Sequence, residues 1–361
     1  MTQAGVVMVG HLPLTASVAA IYQHYGLPPA DARLVADGLV RADLRGVWSH
    51  GVARVSMYAE RLRRGLIEPV PAIGLERLAP AVVHMDGANG IGFVVATRAI
   101  DAAIEIAEEA GVGVVGVRQS GHYGMAANYV LRAIERGFSS FVFTNASPAM
   151  PPFGGRVPML GTNPYAVGIP GGSRGDVVID MACTVTARGK LKFAAQRGEA
   201  IPEGYALDDH GRPTTDGAAA FRGTVLPFGG HKGAALALQL DIMCGLMTGA
   251  AFGGEVRNPF TGLDGPQDVG HFFLAMRPDL FLGRTAWRER MDALVERLKS
   301  TPRAEGVEEV MLPGEIEANT EAERRERGVP LSPDVWADLG REAERAGVKL
   351  PEPAADGRSH P

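Results

Sequence analysis

Cysteine is nearly absent: Cys183 and Cys244 are the only two in 361 residues. That excludes a disulfide scaffold and a thiolate zinc site, and it fits a reducing cytoplasm. Long apolar runs are missing as well. None approaches the roughly 20 residues needed to span a bilayer, and the N-terminal MTQAGVVMVGHLPL lacks the basic start and apolar stretch of a signal peptide. There is no excess of positive charge. A formal net charge of -5 favours neither nucleic acid nor an anionic membrane. Nothing reads as H-E-x-x-H or paired Cys-x-x-Cys, and the nine histidines are scattered, so no metal is expected. No G-x-S-x-G elbow exists. A hydrolase built on Ser49 or Ser120 is therefore a remote reading.

What is present is an ordinary globular composition, 46% hydrophobic and 21% charged, with 47 glycines set between apolar runs. Residues 14–65 read as helical, with one helix closing on Gly46. Ser49 is placed as the cap of a second, HGVARVSMYAERLRRG. From Ala81 onward strands and helices alternate. VVHMDGANGIGF is strand-like, ATRAIDAAIEIAEEAG is a helix ending on Gly111, VGVVGV is a buried strand, MAANYVLRAIERG is a helix and FSSFVFTNAS is a strand. Residues 187–223 read as loop. GAALALQLDIMCGLMTGA, 233–250, reads as a buried helix. RTAWRERMDALVERLKS and PDVWADLGREAERAG return to charged helices. The pattern predicts an α/β (α+β) body over 79–283, a helical domain built from both ends (10–78 with 284–350), and a disordered tail over 351–361.

Gly111, Gly113 and Gly116 spell G-x-G-x-x-G. A dinucleotide fingerprint must follow a strand and open a helix. Here the run follows a helix and is itself the next strand, so the reading is a helix C-cap, not a phosphate loop. In GHKG at 230–233 the lysine is followed by Gly233 where a phosphate loop has Ser or Thr.

The strongest chemical grouping is DLRGVWSHGVARVSMY. On one helix His50, Arg54 and Tyr58 would form a single stripe. A histidine exchanges protons near neutral pH, and an arginine one turn on can clamp a carboxylate with two parallel hydrogen bonds. Reduction of a 2-oxo acid beside its carboxylate needs both. Read blandly, the stripe is a solvated polar face. His122, in SGHYG, follows a buried strand between two glycines, where a ligand can approach the backbone. Taken alone it is equally a satisfied loop histidine. Asn145, Ser147, Thr162 and Asn163, in a loop dense in Pro and Gly, can hold a nicotinamide amide or ribose, or simply build turns. Asp180 ends an apolar strand in VVIDMACTVTARGK. Lys232 opens the apolar helix, where free amides and a cation suit phosphate.

Taken in order, these segments resemble the malate/L-lactate dehydrogenase family, which is unrelated in fold to the Rossmann-type lactate and malate dehydrogenases. The resemblance covers about residues 14–345. It rests on SHG with Arg54, SGHYG, the TN…GTNP stretch, IDMA…ARGK, PFGGHKG and MLPGE at 311–315. It implies a non-Rossmann, mixed, largely antiparallel sheet with a terminal helical domain. It also implies a homodimer and NAD or NADP as cofactor. His50, Arg54 and His122 are then the catalytic group: one of the two histidines carries the proton and the other holds the substrate, with His122 preferred because its motif histidine is assigned as proton acceptor in some members. Ser49, Tyr58, Asn145, Thr162 and Asn163 face the substrate. Ser147, Asp180, Met181, Ala182, Lys232, Gly233, Pro313, Gly314 and Glu315 face the cofactor, with Thr184, Thr186 and Arg188 as candidates for a 2′-phosphate. Two departures fall on the cofactor-side helix: Ala234-Ala235 after GHKG, where many relatives keep a glycine, and Asp241 where glutamate is usual.

The expected activity is hydride transfer between a nicotinamide and a small 2-hydroxy or 2-oxo acid in the cytoplasm. Cyclic ketimine reduction (piperideine- or pyrroline-2-carboxylate) is the alternative. A non-catalytic nucleotide-binding protein on the same fold is more distant.

Overall fold

The computed structural model describes residues 5–353. Residues 1–4, at the start of the segment read as lacking a signal peptide, and 354–361, most of the expected tail, lie outside the described residues. The chain begins with β1 (Val7–Val9), α1 (His11–His24) and α2 (Pro29–Leu44), whose first residue is a proline already fixed at a helical φ. Two short 3₁₀ turns, Trp48–His50 and Val52–Arg54, lead into α3 (Val55–Arg63). Next come β2 (Gly74–Ala79), β3 (Val82–Asp86), α4 (Gly92–Ala110), β4 (Val112–Ser120), α5 (Ala127–Glu135), β5 (Ser139–Thr144), β6 (Tyr165–Ile169) and β7 (Val177–Met181). After these the chain builds α6 (Arg188–Arg197), β8 (Ala206–Leu207), β9 (Pro213–Thr214), α7 (Gly217–Arg222), β10 (Thr224–Val225) and α8 (His231–Asp241), which runs into a π turn. It ends with β11 (Val269–Met276), α9 (Arg284–Lys299), α10 (Glu315–Arg327), β12 (Val329–Leu331) and α11 (Pro333–Ala346).

The mixed, largely antiparallel sheet is the one found. Its order is β2-β3-β4-β11-β5-β6-β7, and only the β3–β4 pair is parallel, joined by α4 as the crossover. Central strand β11 sets Phe273 opposite Val115 on one side and Val142 on the other. All three are fully buried with Ile100 and Ile104 of α4. A side chain of this size contributes about 1.5–3 kcal/mol when removed from water. The three glycines behave as read. Gly111 caps α4 at φ 83°, and Gly113 and Gly116 lie in β4. A Cβ at Gly113 would stand 2.1 Å from the Ala103 carbonyl oxygen, so glycine there lets α4 lie directly on the strand.

A second core joins the two ends of the chain. Leu14, Val18 and Ile21 of α1 pack with Val35 and Leu39 of α2 and with Leu331 and Leu339. β1 pairs with β12, and Arg45 of α2 meets Glu321 of α10 at 3.0 Å. The segment 284–350 divides, however. Helix α9 lies on the sheet side, with the Trp287 indole donating to the Pro170 carbonyl and Asp292 accepting from Ser173. The boundary near 78 also moves, because Gly74–Ala79 is a strand of the large sheet.

Two further expectations need correction. Residues 187–223 are not simply loop. They form a small module of α6, α7 and a three-stranded sheet. Only Leu191 and Ala194 of α6 are buried, too few for a visible apolar periodicity. The helix at 233–250 is not enclosed either. Leu240 and Cys244 face inward, but Leu238, Ile242 and Leu246 are exposed.

Candidate active site

His50 and Arg54 do not share a helix. Gly51 sits between the two 3₁₀ turns in an extended conformation, and Ser49 does not cap. The cause is Asp43, buried near the end of α2. Its carboxylate accepts the Val52 N–H at 2.7 Å, the donor that a Ser49 cap would have satisfied. A Cβ at Gly51 would stand 2.1 Å from Asp43 Oδ1, so the turn closes only over glycine. Burial pushes the Asp43 carboxyl up to about 7, against the opposing pull of the Val52 N–H and of Arg324. Ser49 serves the turn from inside. Its hydroxyl lies 2.9 Å from His50 Nδ1, and its carbonyl accepts Arg54 Nε at 2.6 Å.

The turn delivers His50 to His122, which follows the end of β4. The two rings stack with centroids 5.6 Å apart and planes 14° from parallel. The Tyr58 hydroxyl lies 2.5 Å from His122 Nδ1, which also receives the Gly124 N–H at 3.3 Å. Nε2 is therefore the nitrogen left to face a substrate. Tyr58 is itself 1% exposed, and its hydroxyl is engaged with the histidine. Burial, and then the Arg54 charge, push His50 down to about 4. Burial holds His122 well below the usual histidine range, reinforced by His50, Arg54 and His271. Both imidazoles are neutral near pH 7.

The Arg54 guanidinium lies 4.8 Å from the Phe260 ring centroid. Among the described residues, neither of its terminal nitrogens donates a hydrogen bond, which leaves a two-pronged edge free. Behind the site is His271, fully buried on β11. Its nitrogens meet the hydroxyls of Thr144 at 2.7 Å and Ser120 at 2.8 Å, and burial pushes it down to about 3. Sequence reasoning missed His271, Asp43, Phe260 and Gln267, whose side-chain oxygen accepts the His122 N–H at 3.1 Å. A lone histidine inside the apolar VGHFFLAM was the one visible hint.

The remaining residues assigned to cofactor or substrate separate into two groups. Asp180 and Met181 end β7 and are open to solvent, yet protein surrounds Asp180 closely enough to push its carboxyl up to about 6. The strand end is thus open yet recessed. Asp180 also accepts the Ala127 N–H at 2.8 Å, fixing the start of α5. From there Cys183 bonds to Phe228 through the backbone, and Thr184 bridges Pro227. These contacts join β7 to the start of α8, where Lys232 is exposed and a Cβ at Gly230 would meet nothing within 4 Å. Gly233, by contrast, is buried, and its N–H bonds the Phe228 carbonyl. Pro313 and Gly314 lie along the same edge. The Pro313 carbonyl accepts the Val178 N–H, and Gly314 packs on Val178. Open backbone, a free cation and an acidic strand end along one continuous edge fit an extended dinucleotide with its phosphates near Lys232.

The other group is taken up by the fold. Asn145 is 1% exposed, with its amide donating to the Ala251 carbonyl and its oxygen accepting the Gly270 N–H. Asn163 is fully buried, with Nδ2 on the Ala237 carbonyl and Oδ1 on the Ala146 N–H. Both side chains bond to backbone groups of neighbouring segments. The Glu315 carboxylate closes on the Leu312 N–H and on Lys299, so it is an internal cap. Ser147, Thr162 and Ala182 are half-buried. No group of three His, Cys, Asp or Glu suited to a metal occurs among the described residues.

A family model described as malate/L-lactate dehydrogenase matches residues 11–340. The chain belongs to the malate/L-lactate dehydrogenase family. The L-sulfolactate dehydrogenase of Methanothermobacter thermautotrophicus is 41% identical over 308 residues, 84% of this chain and 87% of that protein. The (2R)-3-sulfolactate dehydrogenase (NADP(+)) of Chromohalobacter salexigens is 36% identical over 88% of this chain and 91% of its own length. Among solved structures, the sulfolactate dehydrogenase of Methanocaldococcus jannaschii superposes with a TM-score of 0.89 at 35% identity, covering 95% of this chain and 98% of that one. The Δ1-piperideine-2-carboxylate reductase of Pseudomonas syringae superposes at 0.82 with 28% identity, covering 93% and 99%. Family membership rests on the whole fold; the roles of single residues rest on the geometry above.

Proposed function

We propose that this family member is an NAD- or NADP-dependent dehydrogenase that interconverts a small 2-hydroxy acid and its 2-oxo acid. The observation that carries the reading is the free two-pronged edge of Arg54 beside two stacked, neutral imidazoles. The bound nicotinamide supplies the chemistry of a hydride donor or acceptor at C4. Arg54 holds the substrate carboxylate by two parallel N–H bonds and so orients C2. His122 Nε2 takes the hydroxyl proton in oxidation and returns it in reduction. Tyr58 can follow either state, because a hydroxyl both donates and accepts. His50, held by Ser49, packs the His122 ring and bounds the substrate. A neutral His122 is ready to act as base at Nε2 in the tautomer that places its proton on Nδ1 and donates it to the Tyr58 oxygen, in place of the long Gly124 contact. For reduction, a carboxylate docked on Arg54 offsets the positive charge that opposes protonation of the ring.

The test is a screen of absorbance at 340 nm, with NADH and NADPH against pyruvate, oxaloacetate, sulfopyruvate and piperideine-2-carboxylate. Turnover of an oxo acid that collapses in His122→Asn supports the assignment. Near-normal kcat in that variant rejects His122 as proton carrier. Likeness to the piperideine-2-carboxylate reductase fold supports a second reading, in which the same carboxylate clamp serves a cyclic imine. Preference for the imine substrate would select it.

The exposed apolar run Leu238, Ile242, Leu246 and Met247 along α8 and its π turn supports a homodimer. Sedimentation at the mass of one chain would reject that. Two free, buried cysteines, and the lack among the described residues of any helix long and apolar enough to cross a membrane, support a cytoplasmic setting.

A further inference from the structure

The segment Arg257–Gln267 closes on itself. The Gln267 side-chain amide donates to the Arg257 carbonyl at 3.2 Å, and the Arg257 N–H donates to the Gln267 carbonyl at 3.3 Å. Within it the Asn258 side-chain oxygen accepts the N–H groups of Phe260 and Thr261, which turns the chain back. Beneath it lies Arg61 of α3, 0% exposed. Its guanidinium has no carboxylate partner among the described residues. It donates instead to two carbonyls of this loop, Gly262 at 3.0 Å and Gly265 at 2.9 Å. Burying an arginine is costly, and this one is committed to holding one loop on the helix that also carries Tyr58.

The latched loop touches both halves of the site. Gln267 accepts the His122 N–H, and Phe260 lies against the guanidinium of Arg54. Phe260 is 50% exposed, so its ring does not serve the core. It also lines a groove of about 310 Å³, together with Ala53, Met57, Pro259 and Leu263 and the carboxylates of Glu60 and Asp338. The ring thus touches both the carboxylate clamp and a groove large enough for a short side chain.

We propose that Phe260 is a specificity-determining residue: its ring sets the plane of Arg54 and walls off the groove, limiting the size of the substrate group beyond C2. The proposal rests on the carboxylate-clamp reading of Arg54. A smaller residue at 260 loosens the clamp and opens the groove, so short substrates lose while longer ones gain. Its contact is with Arg54 and the substrate tail, so proton transfer at His122 keeps its pH dependence.

Phe260→Ala and the milder Phe260→Leu are to be compared with the wild-type full-length protein in two ways. The first is kcat/KM along pyruvate, 2-oxobutyrate, 2-oxohexanoate and phenylpyruvate. The second is calorimetric binding of oxamate and of N-butyl oxamate to the NADH or NADPH complex. In Phe260→Ala, both preference ratios, 2-oxohexanoate over pyruvate and N-butyl oxamate over oxamate, are expected to rise about tenfold or more, as pocket volume changes do. Phe260→Leu falls between, and the pH profile is unmoved. Uniform losses that leave both ratios unchanged overturn the proposal, as does a fall in either ratio. Wild-type protein that binds oxamate without turnover leaves the binding ratio as the deciding measurement and counts only against the proposed reaction. Wild-type protein that neither binds oxamate nor turns over any oxo acid removes the clamp itself, and the proposal with it.

Discussion

Replacing Tyr58 by Phe isolates the hydrogen bond that most directly controls His122. The change removes one oxygen, leaves the ring packed edge-on against Phe93, and deletes the 2.5 Å contact to Nδ1. In reduction His122 must first carry a proton on both nitrogens, and the Nδ1 proton then has Tyr58 as its acceptor. A hydrogen bond to a charged group is worth about 1.5–3 kcal/mol. At 1.36 kcal/mol per unit, its loss lowers the imidazolium pKa by about one to two units. The protonated fraction at neutral pH then falls about 10–100-fold, and kcat for reduction falls with it. The high-pH limb of the reductive profile should move down by the same one to two units. Oxidation uses the neutral ring and should suffer much less at alkaline pH.

Stability gives the control. A neutral buried hydrogen bond contributes about 1 kcal/mol, so Tm should drop by only a few degrees. The assay is steady-state kinetics in both directions across pH, beside a thermal melt. Equal losses in both directions with an unmoved limb would show that Tyr58 only packs, and the proton-transfer assignment would lose its main support.

Other outcomes follow from the same geometry. Arg54→Lys exchanges a two-pronged edge for a point charge, and KM for the oxo acid should rise about 100-fold with kcat changed far less; an unchanged KM would remove the clamp. Gly51→Ala forces a Cβ to within 2.1 Å of the Asp43 carboxylate, so the turn carrying His50 must shift; kcat should fall at least tenfold while far-ultraviolet circular dichroism stays native. Asp43 has a folded value raised to about 7 from 3.8. Its contribution is present below the lower value and is lost as pH rises through the higher one. Wild type should therefore lose stability relative to Asp43→Asn between about pH 4 and 7, and a Tm difference that stays flat over that range would contradict the burial of its charge.

Local signals were readable because their causes are local. The glycine at 111 closes a helix and those at 113 and 116 sit in a strand, so the order of elements was enough to dismiss a phosphate loop. The strands of the central sheet carry near-continuous apolar runs, buried on one face and half-buried on the other, and they were recognised for that reason. His50, Arg54 and Tyr58 do not form the single helical stripe that their spacing suggested. Spacing alone cannot register that Asp43, seven residues before His50, takes the Val52 N–H and packs against Gly51. Asn145 and Asn163 show the opposite failure. Polar residues in a loop near a site suggest ligand contacts, yet here they satisfy buried backbone groups of 251, 270, 237 and 146. Only the partners decide, and those partners lie 17 to 125 residues away.

That distance explains which parts of the site stayed hidden. His50, Arg54 and Tyr58 come from one stretch, and His122 from a recognisable loop, so each leaves a mark in the sequence. The groups that tune them come from β11 and the loop before it. Gln267 reaches His122 across 145 residues, and His271 reaches Ser120 across 151. Apart from the lone histidine in VGHFFLAM they have no unusual local context, and their effect exists only because β11 enters the sheet beside both β4 and β5. An inserted central strand of this kind gives the late chain direct access to the end of β4. His122 and its partners Tyr58 and His50 come from the first half of the molecule, and Gln267 and His271 of the second half complete its surroundings. A substitution on β11 or in Arg257–Gln267 can therefore retune the chemistry without touching any residue that the motifs single out.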